Sequence, residues 1–204
     1  AREAIRTPQF YLVWLIVFVN VSAGIMLLSV ASNMTQAITG ATPTLAATVV
    51  GLLGVFNGAG RIVWSSLSDY LGRTRTYAAF FVVQILAFLA LPRLTDVWLF
   101  AGAMFLIITC YGGGFACLPA YLADLFGTQE LGAIHGYTLT AWSLAGVAGP
   151  TLVARIVAAT GSYELAFYVV AAALGGGLLT VGVLRWRIGV VRRAQLRGTP
   201  LGPA

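Results

Sequence analysis

Residues 49–67 read VVGLLGVFNGAGRIVWSSL and hold one charge, that of Arg61. The stretch is long enough to cross the hydrocarbon of a bilayer as a helix. Arg61 then lies near the midplane, where a guanidinium costs at least about 2.5 to 3.5 kcal/mol and normally faces a protein interior or a wet cavity. We therefore expect Arg61 to face inward, either as a fixed cation that attracts an anion or as a structural arginine that ties helices together.

Helical periodicity places Arg61 among small and polar residues. At about 100° per residue, one stripe of this helix carries Gly54, Asn57, Arg61, Ser65 and Ser68, with Trp64 at its edge. The opposite side carries the large apolar residues Leu52, Phe56, Ile62 and Val63. This pattern predicts a polar inner face and an apolar outer face.

The composition is that of a membrane protein. Of 204 residues, 59% are hydrophobic and 9% are charged, whereas soluble domains have about 25% charged residues. The two cysteines, Cys110 and Cys117, lie in an apolar run without metal-binding spacing, so we expect them to be packing residues. The sequence predicts an all-α integral membrane protein without a metal site.

Apolar runs and polar breaks divide the chain into a lead, a six-helix bundle over residues 10–184, and a tail. The lead covers residues 1–9 and the basic tail covers residues 185–204. The candidate spans are 10–28, 49–67, 76–91, 97–125, 130–158 and 165–184.

The arginines predict the orientation. With six spans, one side collects Arg2, Arg6, Arg73, Arg75 and the five arginines of the tail. By the positive-inside rule, both termini of this segment are cytoplasmic. Because the basic tail directly follows a span, we interpret it as a contact with anionic membrane lipid rather than with nucleic acid.

A weak internal repeat links the two halves of the bundle. The segment NVSAG at residues 20–24 resembles CYGGG at residues 110–114, and each is followed one span later by a glycine-rich segment. Three spans followed by three equivalent spans of opposite orientation form an inverted 3+3 repeat, which is typical of secondary carriers. The alternative is that small residues recur in any closely packed helix bundle.

The segment SSLSDYLGR at residues 65–73 is similar to the loop motif of the major facilitator superfamily, G-x-L-(A/S)-D-R-x-G-R-R. The matching residues are Leu67, Ser68, Asp69, Gly72 and Arg73. Ser65, Tyr70 and Thr74 depart from the motif, as in the degenerate copy found in the C-terminal half of such proteins. The resemblance implies that Asp69, Gly72 and Arg73 belong to a charge cluster that locks one conformation; the alternative is a solvated loop.

Longer segments resemble the oxalate/formate antiporter family of that superfamily. They are TPQFYLVWLIVFVNVSAG at residues 7–24, NGAGR at residues 57–61, and YGGGFACLPAYLADLFGTQELGAIHGYTLTAWSLAGVAGP at residues 111–150. The family has twelve helices, so the resemblance implies that this chain contains the last six and pairs with an N-terminal six-helix half of the same protein.

The resemblance also implies a substrate site. In the family, an arginine that corresponds to Arg61 holds the anion between the two halves, and members that handle oxalate add a lysine on the eleventh helix. This chain has no lysine, and Trp142 and Ala145 lie near that position. We therefore expect a substrate with one negative charge, such as formate, lactate or pyruvate, unless the other half supplies a second cation for oxalate.

The walls of the site are predicted from helical faces. Tyr111 and Phe115 are one turn apart on the fourth span, and Thr138 and Trp142 share one face of the fifth. Asn57 lies one turn before Arg61 and is positioned to hydrogen-bond the guanidinium or the substrate. The alternative for each of these residues is that it only packs helices together.

His135 is the lone histidine and lies near the predicted cytoplasmic end of the fifth span. It is a candidate for proton coupling, although a structural role is the alternative that its position favours. The sequence lacks the GxSG, HExxH and GxxxxGK motifs, so an intramembrane enzyme is only an alternative to a carrier. A half-size membrane subunit that dimerises is a third class. No cofactor is predicted.

Overall fold

The computed structural model describes residues 1–196, with side chains for residues 1–191. Within that range the structure is all-α. The helices are α1 (Pro8–Thr39), α2 (Pro43–Leu71), α3 (Arg73–Ala90), α4 (Val97–Phe126), α5 (Leu131–Thr138), α6 (Thr140–Thr160) and α7 (Glu164–Leu196). Six segments are long and apolar enough to cross a membrane, the fifth being formed by α5 and α6 together. The predicted all-α membrane fold with six transmembrane helices is therefore confirmed.

The first helix is much longer than the predicted span 10–28. Thr7 caps its N-terminus by accepting a hydrogen bond from the Phe10 amide, and Pro8 starts the first turn. The polar residues within 29–39, which follow the predicted span, are helical too, and hydroxyl groups such as that of Thr35 hydrogen-bond to backbone carbonyls of the same helix. The helix ends at Gly40, which adopts a φ of 68°.

The second helix also extends beyond the predicted span 49–67, at both ends. Thr42 caps it by accepting a hydrogen bond from the Leu45 amide, and Pro43 occupies the first turn. Gly72 ends it with a φ of 84°, a conformation that L side chains rarely adopt. The motif residue Gly72 therefore makes the tight turn between α2 and α3.

The predicted continuous helix 130–158 is wrong at one residue, because Leu139 separates α5 from α6. The Thr140 hydroxyl donates to the Tyr137 carbonyl at 2.7 Å and accepts a hydrogen bond from the Trp14 indole at 2.9 Å. A side chain that binds a nearby carbonyl competes with the helical backbone. The hydrogen bond from Trp14 thus ties the break between α5 and α6 to α1.

The last helix continues past the predicted end of the sixth span at residue 184. It reaches Leu196, so the first part of the predicted tail is helical. Residues 197–204, the rest of that tail, lie outside the described residues.

The packing of the helices supports the 3+3 repeat. α2 packs mainly against α4, and α6 packs mainly against α1. Likewise α3 contacts α4, α7 contacts α1, and α3 and α7 contact each other. Exchanging the first three spans with the last three leaves this pattern of contacts unchanged, as expected for two structurally equivalent halves.

Burial differs strongly between the helices. α1 and α4 supply most of the core, whereas α2 and α6 are largely exposed in this chain. Large apolar side chains on α2, such as Val55 and Ile62, lie at the surface. The two most exposed helices are also those that carry Arg61 and Trp142.

Candidate functional site

Arg61 is exposed on α2. Within the described residues, its guanidinium takes part in no salt bridge, and no side-chain hydrogen bond of Arg61 is formed. It lies on an open face of α2 rather than in a cavity closed by these helices alone. A cation at this depth therefore keeps its hydrogen-bond donors available for a ligand, which excludes the alternative that described residues of this bundle already neutralise it.

The orientation of Arg61 follows from the packing of its neighbours. We call the close contact between α2 and α4 the α2–α4 seam; it consists of Asn57, Gly60 and Trp64 on α2 and Thr109, Gly112 and Gly113 on α4. Gly60 lies so close to Thr109 that a β-carbon would be 2.4 Å from the threonine carbonyl oxygen. Arg61 follows Gly60, about 100° further around the helix, and its side chain is exposed outside the seam.

Three aromatic rings from two helices form one surface, which we call the aromatic wall: Tyr111 and Phe115 on α4 and Trp142 on α6. The Tyr111 and Phe115 rings are 5.3 Å apart at 76°. The Phe115 and Trp142 rings are 6.0 Å apart at 90°. These are edge-to-face contacts, which aromatic pairs favour. The structure thus brings together three residues that the sequence predicts on two different spans.

Tyr111 connects the aromatic wall with Arg61. Its hydroxyl lies beside the Trp142 side chain and within electrostatic range of Arg61. Its ring packs against α1, where a β-carbon at Gly24 would be 2.3 Å from Tyr111 Cδ2. Glycine at position 24 therefore leaves the space that the Tyr111 ring occupies.

Asn57 faces α4 rather than the open side of Arg61. Its Oδ1 atom is buried and has no hydrogen-bond partner among the described residues. A β-carbon at Gly112 would be 2.5 Å from this atom, so the amide is packed into the seam. The Asn57 amide oxygen is therefore packed against α4, whereas Arg61, one turn later on the same predicted stripe, is exposed.

Thr138 is fully buried and donates its hydroxyl to the Ile134 carbonyl at 2.9 Å. Its hydroxyl is thus engaged within α5, whereas the Trp142 side chain on α6 is exposed. Thr138, Ala145 and Gly149 form the buried stripe of the fifth span, because small residues allow close approach to α1. Trp142 lies at the edge of that stripe and is 46% exposed.

His135 is partly exposed on α5. Within the described part of the chain, it forms no salt bridge. It lies on the far side of the helix break from Trp142, so the structure does not bring it into the aromatic wall.

A second polar site lies where α2 and α4 end and α3 begins; we call it the ion-pair cluster of Asp69, Arg73 and Asp124. Arg73 Nη2 is 2.6 Å from Asp69 Oδ1, and Arg73 Nε is 3.4 Å from Asp124 Oδ2. Arg73 also hydrogen-bonds to the Ser68 hydroxyl. Arginine suits this bridge because its nitrogens are held in a planar fork.

Asp124 is the residue of this cluster that the sequence analysis did not identify. The signal for it was an acidic side chain at the end of an otherwise apolar helix, in the segment YLADLF at residues 121–126. Its partnership with Arg73 depends on the packing of α4 beside α2 and α3, which local patterns do not specify.

Comparisons with known proteins support the resemblance. The Major Facilitator Superfamily model matches residues 13–201. The "Oxalate:formate antiporter" of Oxalobacter formigenes is 32% identical over 176 residues, covering 83% of this chain and 40% of the antiporter. The predicted resemblance to the oxalate/formate antiporter family is thereby confirmed.

Two further relatives are more distant. An uncharacterized MFS-type transporter, YhjX, of Escherichia coli (strain K12) is 25% identical over 138 residues, covering 66% of this chain and 34% of that protein. Monocarboxylate transporter 10 of Homo sapiens is 28% identical over 138 residues, covering 64% of this chain and 26% of that protein.

The chain spans less than half of the length of each of these relatives, 40% in the case of the antiporter. All of them are transporters by name, so the similarity places the chain with transporters rather than with enzymes. Its six membrane-crossing helices agree with half of the family's fold. The chain therefore belongs to the Major Facilitator Superfamily.

Proposed function

We propose that this chain is the C-terminal half of a secondary transporter that moves a small monocarboxylate across a cell membrane by alternating access. The transporter needs no covalent chemistry and no cofactor. The substrate is a small anion such as formate, lactate or pyruvate. Oxalate requires a further cation from the other half.

The observation that carries this proposal is the Arg61 guanidinium on an exposed face, where no described side chain forms a salt bridge with it. A planar guanidinium binds a carboxylate through two parallel hydrogen bonds. The low dielectric of a closed cleft strengthens such a pair. The Tyr111 hydroxyl nearby supplies a polar edge on an otherwise apolar wall.

Charge favours a monocarboxylate over a dicarboxylate. The chain has no lysine, and Ala145, near where the resemblance implies a lysine in oxalate carriers, is fully buried. One guanidinium balances one carboxylate, so a second carboxylate would lie unpaired in a low-dielectric site. The names of the relatives, an oxalate:formate antiporter and a monocarboxylate transporter, agree with this class of substrate.

The exposed faces of α2 and α6 are the surfaces that we assign to contact with the N-terminal half. They carry Arg61 and Trp142, so the substrate would lie between the halves. Tilting of the halves would open the site to either side, and the ion-pair cluster would hold one of the two conformations. The cycle would be driven either by exchange or by proton symport. In the case of symport, His135 is the candidate for proton coupling.

By the positive-inside rule, the distribution of the arginines favours a cytoplasmic location for both termini of this segment. The bundle itself would lie in the plasma or inner membrane. The ion-pair cluster would then lie on the cytoplasmic side, because it is at the end of α2. The bundle would comprise residues 10–184, and the basic residues after it would contact anionic lipid.

The test is transport by the full-length protein reconstituted in vesicles, with formate, lactate, pyruvate and oxalate. We expect Arg61→Gln to raise the half-saturation constant or lower uptake by at least about tenfold, since hydrogen bonds to charged groups contribute about 1.5 to 3 kcal/mol. Arg93→Gln is the matched control, because Arg93 is exposed and lies between α3 and α4, away from Trp142.

The proposal would be supported if Arg61→Gln abolished the uptake of a monocarboxylate and Arg93→Gln preserved it. Undiminished uptake of every tested anion by Arg61→Gln would show that Arg61 does not bind the substrate. Uptake of oxalate in preference to the monocarboxylates would refute the argument from charge.

A further inference from the structure

Tyr77 of α3 is buried and makes one hydrogen bond across the bundle. Its side chain is 1% exposed. Its hydroxyl donates to the Gly114 carbonyl oxygen of α4 at 2.7 Å. Gly114 immediately precedes Phe115, so this bond holds the backbone that carries part of the aromatic wall.

The backbone of α4 is weakened at this point. Pro119 lies inside the helix and has no amide hydrogen, so the Phe115 carbonyl, four residues earlier, lacks its helical partner. Three consecutive glycines, residues 112–114, precede it. Proline and glycine are the usual causes of helix bending. A hydroxyl donated to Gly114 therefore acts where α4 bends most easily.

Tyr77 also connects to the cytoplasmic ends of the helices. Its ring stacks on that of Tyr121 at 5.5 Å and 29°. The Tyr121 and Thr74 hydroxyls are 2.9 Å apart. Thr74 follows Arg73 directly, and Asp124 lies one turn after Tyr121. Contacts thus run without interruption from the ion-pair cluster to Gly114.

We propose that Tyr77 is a positioning residue that couples the ion-pair cluster to the aromatic wall through the Gly114 carbonyl. The inference rests on the proposed function in assigning the wall to substrate binding. When the cluster rearranges, Thr74 and Tyr121 move with it, and Tyr77 transmits that movement to the turn of α4 that carries Phe115.

A contiguous set of contacts becomes evidence of coupling only through a measured non-additivity. The experiment is therefore a double-mutant cycle in the full-length protein, with Asp124→Asn at the cluster and Tyr77→Phe at the link. Tyr77→Phe removes only the hydroxyl and keeps the ring. Tyr168→Phe is the matched control, because the Tyr168 hydroxyl donates to Glu164 at an exposed position of α7.

The first readout is the half-saturation constant for the transported monocarboxylate. We expect Asp124→Asn to change it by about three- to fivefold, the upper range for an exposed ion pair, in the parent and in Tyr168→Phe. In the Tyr77→Phe background we expect a change below about twofold. Equal changes in all three backgrounds, or no change in any, would overturn the proposal.

The second readout needs no substrate, so it remains informative if the proposed function fails. It is hydrogen exchange of backbone amides in the α4 peptide covering residues 111–118, with the α7 peptide covering residues 165–180 as reference. We expect Asp124→Asn to increase exchange in the α4 peptide alone, and to lose this effect in Tyr77→Phe. An increase shared by both peptides would indicate a merely structural role and would overturn the coupling.

Tyr121→Phe provides a second route if Tyr77→Phe does not fold. It removes the contact with Thr74 and leaves the Tyr77–Gly114 hydrogen bond in place. We expect it to abolish the effect of Asp124→Asn in the same way. Persistence of that effect in Tyr121→Phe would count against the coupling.

Discussion

Gly60 of α2 and Thr109 of α4 are in direct backbone contact: a β-carbon on Gly60 would lie 2.4 Å from the Thr109 carbonyl oxygen and 2.5 Å from its α-carbon. Because backbone atoms cannot rotate away as a side chain can, this contact admits only glycine without a shift of one helix. The residue that follows Gly60 is Arg61. The position of the proposed substrate cation thus depends on how closely two helices approach.

Gly60→Ala should lower the stability of the protein and displace Arg61. Overpacking costs about 1 to 3 kcal/mol, which exceeds the roughly 1 kcal/mol that alanine gains over glycine in a helix. Thermal unfolding in detergent measures the change. Gly102→Ala is the control on α4, because no atom lies within 4 Å of its added β-carbon. Equal midpoints for the two variants would contradict the seam geometry.

Gly24→Ala should act on the aromatic wall rather than on the whole bundle. The added methyl group would lie 2.3 Å from Tyr111 Cδ2 and 2.8 Å from its Cβ, so the ring must move. Small displacements of binding groups are costly, and we expect the half-saturation constant for the substrate to rise about tenfold. Transport kinetics of the reconstituted full-length protein test this. An unchanged constant would show that Tyr111 does not line the site.

Arg73→Lys should remove the ion pair between residue 73 and Asp124. Different guanidinium nitrogens reach the two carboxylates, at 2.6 Å for Asp69 and 3.4 Å for Asp124, whereas lysine offers one nitrogen. Both carboxylates are more than half exposed, so each pair contributes only about 0.2 to 1 kcal/mol.

The measurement for this prediction is again thermal unfolding in detergent. We expect Asp124→Asn to lower the midpoint slightly in the parent protein and to leave it unchanged in the Arg73→Lys background. A decrease of the same size in both backgrounds would mean that the Arg73–Asp124 pair makes no contribution.

Gln84→Leu should destabilise the bundle, because it leaves the buried Asn20 amide oxygen without its hydrogen-bond donor. Gln84 Nε2 donates to Asn20 Oδ1 at 3.0 Å, and both side chains are fully buried. Polar contacts between membrane helices contribute about 0.6 kcal/mol on average and up to about 1.7. Adding Asn20→Leu should recover part of the loss, because it removes the unpaired partner. Unfolding of the single and double variants tests this, and strictly additive losses would contradict the pairing.

Much of the fold was predictable because it depends on local properties. Six apolar runs, the motif around Asp69 and the single charge at Arg61 can be recognised from composition and spacing. The errors also have local causes. The polar residues after position 28 suggested a loop, but their side chains hydrogen-bond within α1 and the helix continues.

The candidate site was only partly predictable. Tyr111, Phe115 and Trp142 meet as their helical faces suggest. Asn57 and Thr138 do not form part of the wall, since each lies on a face that packs against another helix. Periodicity identifies which residues share a face, but it does not identify the neighbour that the face meets.

The sequence by itself determined that this is a helical membrane protein with one cation deep in its second span, because hydrophobicity and charge are properties of each residue. Only the tertiary structure decided that Asp124 joins Arg73 and that Tyr77 reaches the Gly114 carbonyl. Those partners are tens of residues apart in the chain. They meet because glycine and other small residues let particular pairs of helices approach closely, and that choice is made by the packing of the whole bundle.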